Sequence, residues 1–126
     1  MRTLALCVCA LALSAPEALF GQAVYGSISG NVTDSSGSAV PNAKVVITDT
    51  GKGITNNTTT NESGYYTQGH LIVGIYEVRI EASGFSPYVA KSVHVEVDAV
   101  NTINARLALG TVGETVNVTA EAPLSG

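Results

Sequence analysis

Between Gly74 and Phe85, apolar and polar positions alternate without a break. Tyr76, Val78, Ile80 and Ala82 fall on one side of the chain, and Glu77, Arg79 and Glu81 on the other. A period of two sends successive side chains to opposite faces of an extended backbone, so the segment is predicted as a half-buried antiparallel strand. The residues from Gly69 to Val73 are expected to turn into it, and Gly84-Phe85 to form a glycine-aromatic corner after it. Further on, Val93, Val95 and Val97 alternate with Ser92, His94, Glu96 and Asp98, and Ile103, Ala105, Leu107 and Leu109 alternate with Asn104 and Arg106. These two stretches are expected to be the longest regular strands.

Upstream, a strand is predicted over Val24 to Thr33, with Ile28, Gly30 and Val32 inward. It stops at Asp34-Ser-Ser-Gly37, where the carboxylate reaches its own turn backbone and the glycine tolerates positive φ. Val40-Pro-Asn-Ala43 leads into Lys44–Thr48. The run Ile54 to Thr60 is so rich in Asn and Thr that it reads as an edge or solvent-facing strand. Asn61-Glu-Ser-Gly64 then turns the chain into Tyr65-Tyr-Thr67, and Ser86-Pro87 bends it after the corner. No stretch from Tyr25 onward carries apolar residues at helical spacing. The fold class is therefore all-β, a sandwich of about seven antiparallel strands. Tyr65, Tyr76 and Phe85 sit at strand ends, where a ring plugs a sandwich corner.

The first residues read differently. Arg2 precedes the apolar run Leu4 to Leu13, which Ser14-Ala-Pro16 interrupts. A run of about ten apolar residues is half of what a membrane-spanning helix needs, and its layout is that of a secretory signal peptide. Gly21 and Ala23 suit cleavage after Ala23, giving a signal over residues 1–23; a cut after Ala15 is the alternative. Cys7 and Cys9, the only two cysteines, leave with it, so the exported domain is expected to hold together by packing, without a disulfide. The formal charge of −4 is unchanged by losing Arg2 and Glu17. Scattered single Lys and Arg residues give no basic stripe for nucleic acid.

Several spaced elements together resemble the carboxypeptidase regulatory-like domain family, a transthyretin- or prealbumin-like sandwich. They are Gly30-Asn-Val-Thr-Asp34 with Gly37 and Val40-Pro-Asn-Ala43, then Thr60-Asn-Glu-Ser-Gly64-Tyr65-Tyr66, then Leu71 with Gly74-Ile-Tyr76-Glu-Val78, then Ala82-Ser-Gly84-Phe85 and Leu107. The resemblance runs from about Ser27 to Leu109. It implies a regulatory-like β-sandwich over residues 24–109, followed by a linker and strand over 110–126. A signal peptide, this sandwich and then Gly113-Glu114-Thr115-Val116-Asn117-Val118-Thr119-Ala120 also resemble the N-terminus of Oar-like TonB-dependent outer-membrane receptors. That resemblance implies a periplasmic or outer-membrane location, a TonB-box-like strand over Glu114, Thr115, Val116, Asn117, Val118, Thr119 and Ala120, and a plug and barrel absent from this sequence. The chain is then expected to be either the N-terminal part of a receptor or a free-standing exported domain.

Candidate chemistry is sparse. A metallocarboxypeptidase needs clustered His and Glu ligands, whereas His70 and His94 stand apart and no Gly-x-Ser-x-Gly elbow raises a nucleophile. No enzyme activity, cofactor or metal is expected. His94, Glu96 and Asp98 would share one face of a strand, as ion ligands or as a solvated polar face balanced by Lys91 or Arg106. Lys44 and Glu81 raise an intramolecular isopeptide bond, without an identifiable third partner. Asn31, Asn56, Asn57, Asn61 and Asn117 begin glycosylation triplets, read here as hairpin and solvent-face residues.

Two functions follow. The first is a non-catalytic structural and interaction domain offering its edges or the Glu114–Ala120 strand to a protein partner, TonB-like or a receptor plug, by β-augmentation. In that reading it meets a membrane only through the missing barrel. The second is a carbohydrate-binding module of starch-binding-like fold, using Tyr65, Tyr66 and Tyr88. A chain with no Trp is poorly equipped for sugar stacking.

Overall fold

Alternation sets the faces of the strands over Lys44–Asp49 and Gly74–Glu81. A computed structural model describes residues 24–110 and 115–119, and these form nine strands. They are β1 (Tyr25–Thr33), β2 (Lys44–Asp49), β3 (Thr55–Thr59), β4 (Tyr65–Ile72), β5 (Gly74–Glu81), β6 (Tyr88–Val95), β7 (Val100–Thr102), β8 (Ala105–Arg106) and β9 (Val116–Thr119). One sheet has the order β4-β1-β7, with β8 also on β1; the other has the order β3-β2-β5-β6-β9. Their inner faces meet in one core containing Ile28, Val45, Ile47, Val78, Ile80 and Leu107, all essentially inaccessible to solvent. The fold is a two-sheet all-β sandwich. The signal-peptide reading of residues 1–23 lies outside the described residues.

In β5, Tyr76, Val78 and Ile80 are buried, while Glu77, Arg79 and Glu81 are half-buried on the outer face. β2 pairs with it in register from Lys44↔Glu81 to Asp49↔Tyr76, and the polar strand β3 closes that side as an edge. Turns are fastened by side chains. Asp34 Oδ1 accepts the Ser36 and Ser38 amides at 2.8 and 3.0 Å, and Asn61 Oδ1 accepts those of Ser63 and Tyr65 at 2.9 and 3.0 Å. Buried Thr60 receives the Ala43 amide and donates to the Val40 carbonyl, which satisfies a polar group in the core.

Some local expectations give way. Gly69–Ile72 continue β4 rather than turning; Gly69 and His70 form a bulge opposite Ser27, with His70 at φ 56°. A bulge adds one residue to a strand without ending it. The expected strand through Ile103–Leu109 is reduced to the two residues of β8, and β7 ends just ahead of it at Thr102. At the break Asn104 Oδ1 accepts the Asn31 amide at 2.9 Å, a side chain standing in for a ladder carbonyl. β7 and β8 run parallel to β1, and β9 runs parallel to β6, so the sandwich is not antiparallel throughout. β1 is the longest strand. Val97 and Leu109, expected inward, are exposed because β6 ends at Val95 and Asp98 turns the chain at φ 57°, while Leu109 lies beyond β8 and forms only an isolated bridge with Phe85.

A knot of backbone and ring ties β4 and β1 to the link between β7 and β8 within one sheet. Tyr66, the largest fully buried side chain, donates its hydroxyl to the Ile103 carbonyl at 2.6 Å. Gly30 lies beneath the same carbonyl, so closely that a Cβ there would collide with it. Tyr65, predicted to pack inside, is 40% exposed, and Tyr66 takes the core position. Phe85 does pack against the core from its corner, and Gly84 before it has φ +85°.

Candidate interaction edge

β9 is four residues of alternating aliphatic and polar character on the rim of the five-stranded sheet. It pairs with β6 from Tyr88↔Val116 to Lys91↔Thr119, and the Val116 amide donates to the Pro87 carbonyl at 2.8 Å. Val118, opposite buried Ala90, packs on the core; Val116 is 37% exposed, and Asn117 and Thr119 face solvent. Of the partner strand predicted over Glu114–Ala120, Thr115, Val116, Asn117, Val118 and Thr119 are described, and Glu114 and Ala120 lie outside the described residues.

The energetics of this strand are close to balance. Ordering one residue's backbone costs about 1–2 kcal/mol, and each intramolecular hydrogen bond returns a net of about 0.5–1.5 kcal/mol. A single half-buried valine adds about 1 kcal/mol. Its outer side, among the described residues, pairs with no other strand. Two of the other rims differ: β4 carries the Gly69–His70 bulge and the β7–β8 rim is broken at Ile103–Asn104, both devices that discourage edge pairing; the remaining rim, β3, is a regular strand of Thr and Asn.

The remaining candidates do not assemble into a reactive site. His94 is exposed near the end of β6, while Glu96 and Asp98 lie in the following turn; among the described residues no three His, Cys, Asp or Glu side chains come together as a metal site. Arg106 donates to the Ser35 carbonyl rather than balancing the His94 face. Lys44 and Glu81 are register partners, but Lys44 is exposed and Arg79 Nε holds Glu81 at 2.5 Å. That pair is some 40% exposed on both sides and stabilises by under about 1 kcal/mol.

Tyr65, Tyr66 and Tyr88 form no common platform, since Tyr66 is in the core and Tyr88 is half-buried. Burial pushes the Tyr66 hydroxyl far above the ordinary phenol range, with Tyr88 adding to it, and burial likewise raises Tyr88. Tyr76 is raised by burial and by nearby Asp49. All three are therefore held as neutral phenols. Exposed aliphatic side chains, including Val73, Ile75 and Val97, line a shallow groove with His94 and Glu96.

What fold and edge together define is a two-sheet β-sandwich with an added rim strand. The model of the carboxypeptidase regulatory-like domain matches residues 27–108, and the chain belongs to that family. A comparison with curated proteins finds no match. Among solved structures, the chain is similar to the Bacillus anthracis TIE protein (TM-score 0.57, 17% identity, covering 68% of this chain and 17% of that one). It is similar to catechol 1,2-dioxygenase from Acinetobacter (0.57, 12%, covering 78% and 59%). A proposed carbohydrate-binding protein of Bacteroides uniformis is also similar (0.53, 21%, covering 64% and 40%). This chain thus spans 17% to 59% of the length of these proteins, and at such identities the likeness is one of fold alone.

Proposed function

We propose that the protein is a non-catalytic structural and interaction domain, exported to the periplasm or outer membrane and serving as the N-terminal extension of a TonB-dependent receptor. The observation that carries this reading is β9, whose outer backbone donors and acceptors meet no other strand among the described residues, at the rim of a sandwich of regulatory-like family. Such groups are satisfied by an extended strand of a protein partner. The order of the sequence supports the receptor context: an apolar leader, the sandwich, then Glu114–Ala120. No residue cluster described above supplies a nucleophile with its base or a metal with its ligands.

Fractionation of cells expressing an epitope-tagged chain tests the export half, with processed protein expected in the envelope; full-length, unprocessed protein in the cytoplasm contradicts it. For the partner half, cross-linking from Asn117 is expected to capture a receptor or TonB-like protein. Capture that persists unchanged when residues 114–120 are deleted removes the strand from the account. A carbohydrate-binding role draws on the Bacteroides uniformis neighbour and on exposed Tyr65; a blank glycan array would dismiss it.

A further inference from the structure

The edge of β6 has defined ends. Pro87, just before it, has no N–H and offers only the carbonyl that the Val116 amide meets. At the other end, Lys91 and Ser92 bulge opposite Glu77, with Ser92 at φ 60°, and the last described pair with β9 is Lys91↔Thr119. Between these limits lies a seat for four extended residues, with room against the core beside Ala90 for one aliphatic side chain. β9 fills that seat from outside the sandwich. The buried core is complete between Ile28 and Leu107, the family match ends at residue 108, and Val118 alone of β9 leans on the core.

We propose that the β6 edge is a strand-acceptor site which β9 occupies reversibly, so that the domain stores its own partner strand until a competing strand takes the seat. The acceptor takes an extended segment laid parallel to β6, with an aliphatic residue at the place of Val118 and polar residues on either side of it. Only the use made of the released strand rests on the function proposed above. Release and capture are properties of this chain alone.

The test uses the isotope-labelled chain from Val24, which contains the whole core, and a synthetic peptide of residues 114–120, Glu-Thr-Val-Asn-Val-Thr-Ala. Two variants bracket the intact chain: Val118→Asp, which frees the seat, and Lys91→Cys with Thr119→Cys, whose disulfide holds β9 in place. The peptide is expected to shift the Val89–Lys91 amide resonances of the freed variant and to bind it at least tenfold more tightly than the locked one. A peptide carrying Asp at position 118 is expected not to bind. Equal binding to freed and locked chains, or no binding to the freed chain, overturns the proposal, as does unfolding of Val118→Asp. Peptide capture that succeeds while cross-linking in cells finds no receptor would leave the acceptor standing and remove the receptor.

Discussion

Two places where later parts of the chain join a sheet, the Tyr66 knot and the β9 rim, are built on opposite plans. At the knot, a buried ring, a glycine and a carbonyl must all be what they are, because Tyr66 fills the core and its hydroxyl meets the Ile103 carbonyl above Gly30. At the rim, backbone pairing carries the contact, and one valine leans on the interior. Stability concentrates where side chains are specified, and exchange is cheap where the backbone alone is engaged.

The contrast can be broken from the knot side first. Tyr66→Ala removes the largest buried side chain and is expected to destabilise the domain by about 3–5 kcal/mol, seen as a large fall in the urea midpoint. Gly30→Ala forces a Cβ against the Ile103 carbonyl, and about 1–3 kcal/mol or more is expected from overpacking that backbone cannot relieve; a melting temperature equal to that of the parent would show that β1 and β7 are free to separate. Val118→Ala, at the rim, is expected to change global stability by under about 1 kcal/mol, because the core closes without β9. The smallest effect belongs to Asp34, whose carboxyl is held below its ordinary value, chiefly by the Ser36 hydroxyl and then by the Ser38 amide. Its contribution is present above the unfolded value of 3.8 and is lost as pH falls through the lower folded value. The parent is therefore expected to lose a small increment of stability below about pH 4 that Asp34→Asn does not lose.

Much of this was readable in the residues where the signal is local. Tyr76, Val78 and Ile80 show the period of their strand, and Asp34 and Asn61 mark turns that their own carbonyl or carboxylate oxygens then close. The resemblance over Ser27–Leu109 met a family match over residues 27–108. What alternation cannot carry is where a strand stops and whom it pairs with. The apolar period runs on through Val97 and Leu109 after the backbone has turned away, and the break at Asn104 depends on Asn31, distant in sequence. Which of two adjacent tyrosines goes inside depends on where the Asn61–Gly64 turn releases the chain into β4. The rim strand is the furthest case: Val-Asn-Val-Thr predicts a strand, but neither its parallel direction nor its seat on β6 follows from those four residues.

Native-state hydrogen exchange compares the two junctions directly, in one sample and without substitution. In low denaturant the account predicts that the Val118 amide exchanges through a small local opening, with a free energy well below that of the Tyr66 amide, which exchanges only on global unfolding. Equal opening free energies and equal denaturant dependence at the two amides would make β9 an integral part of the sandwich and contradict the account.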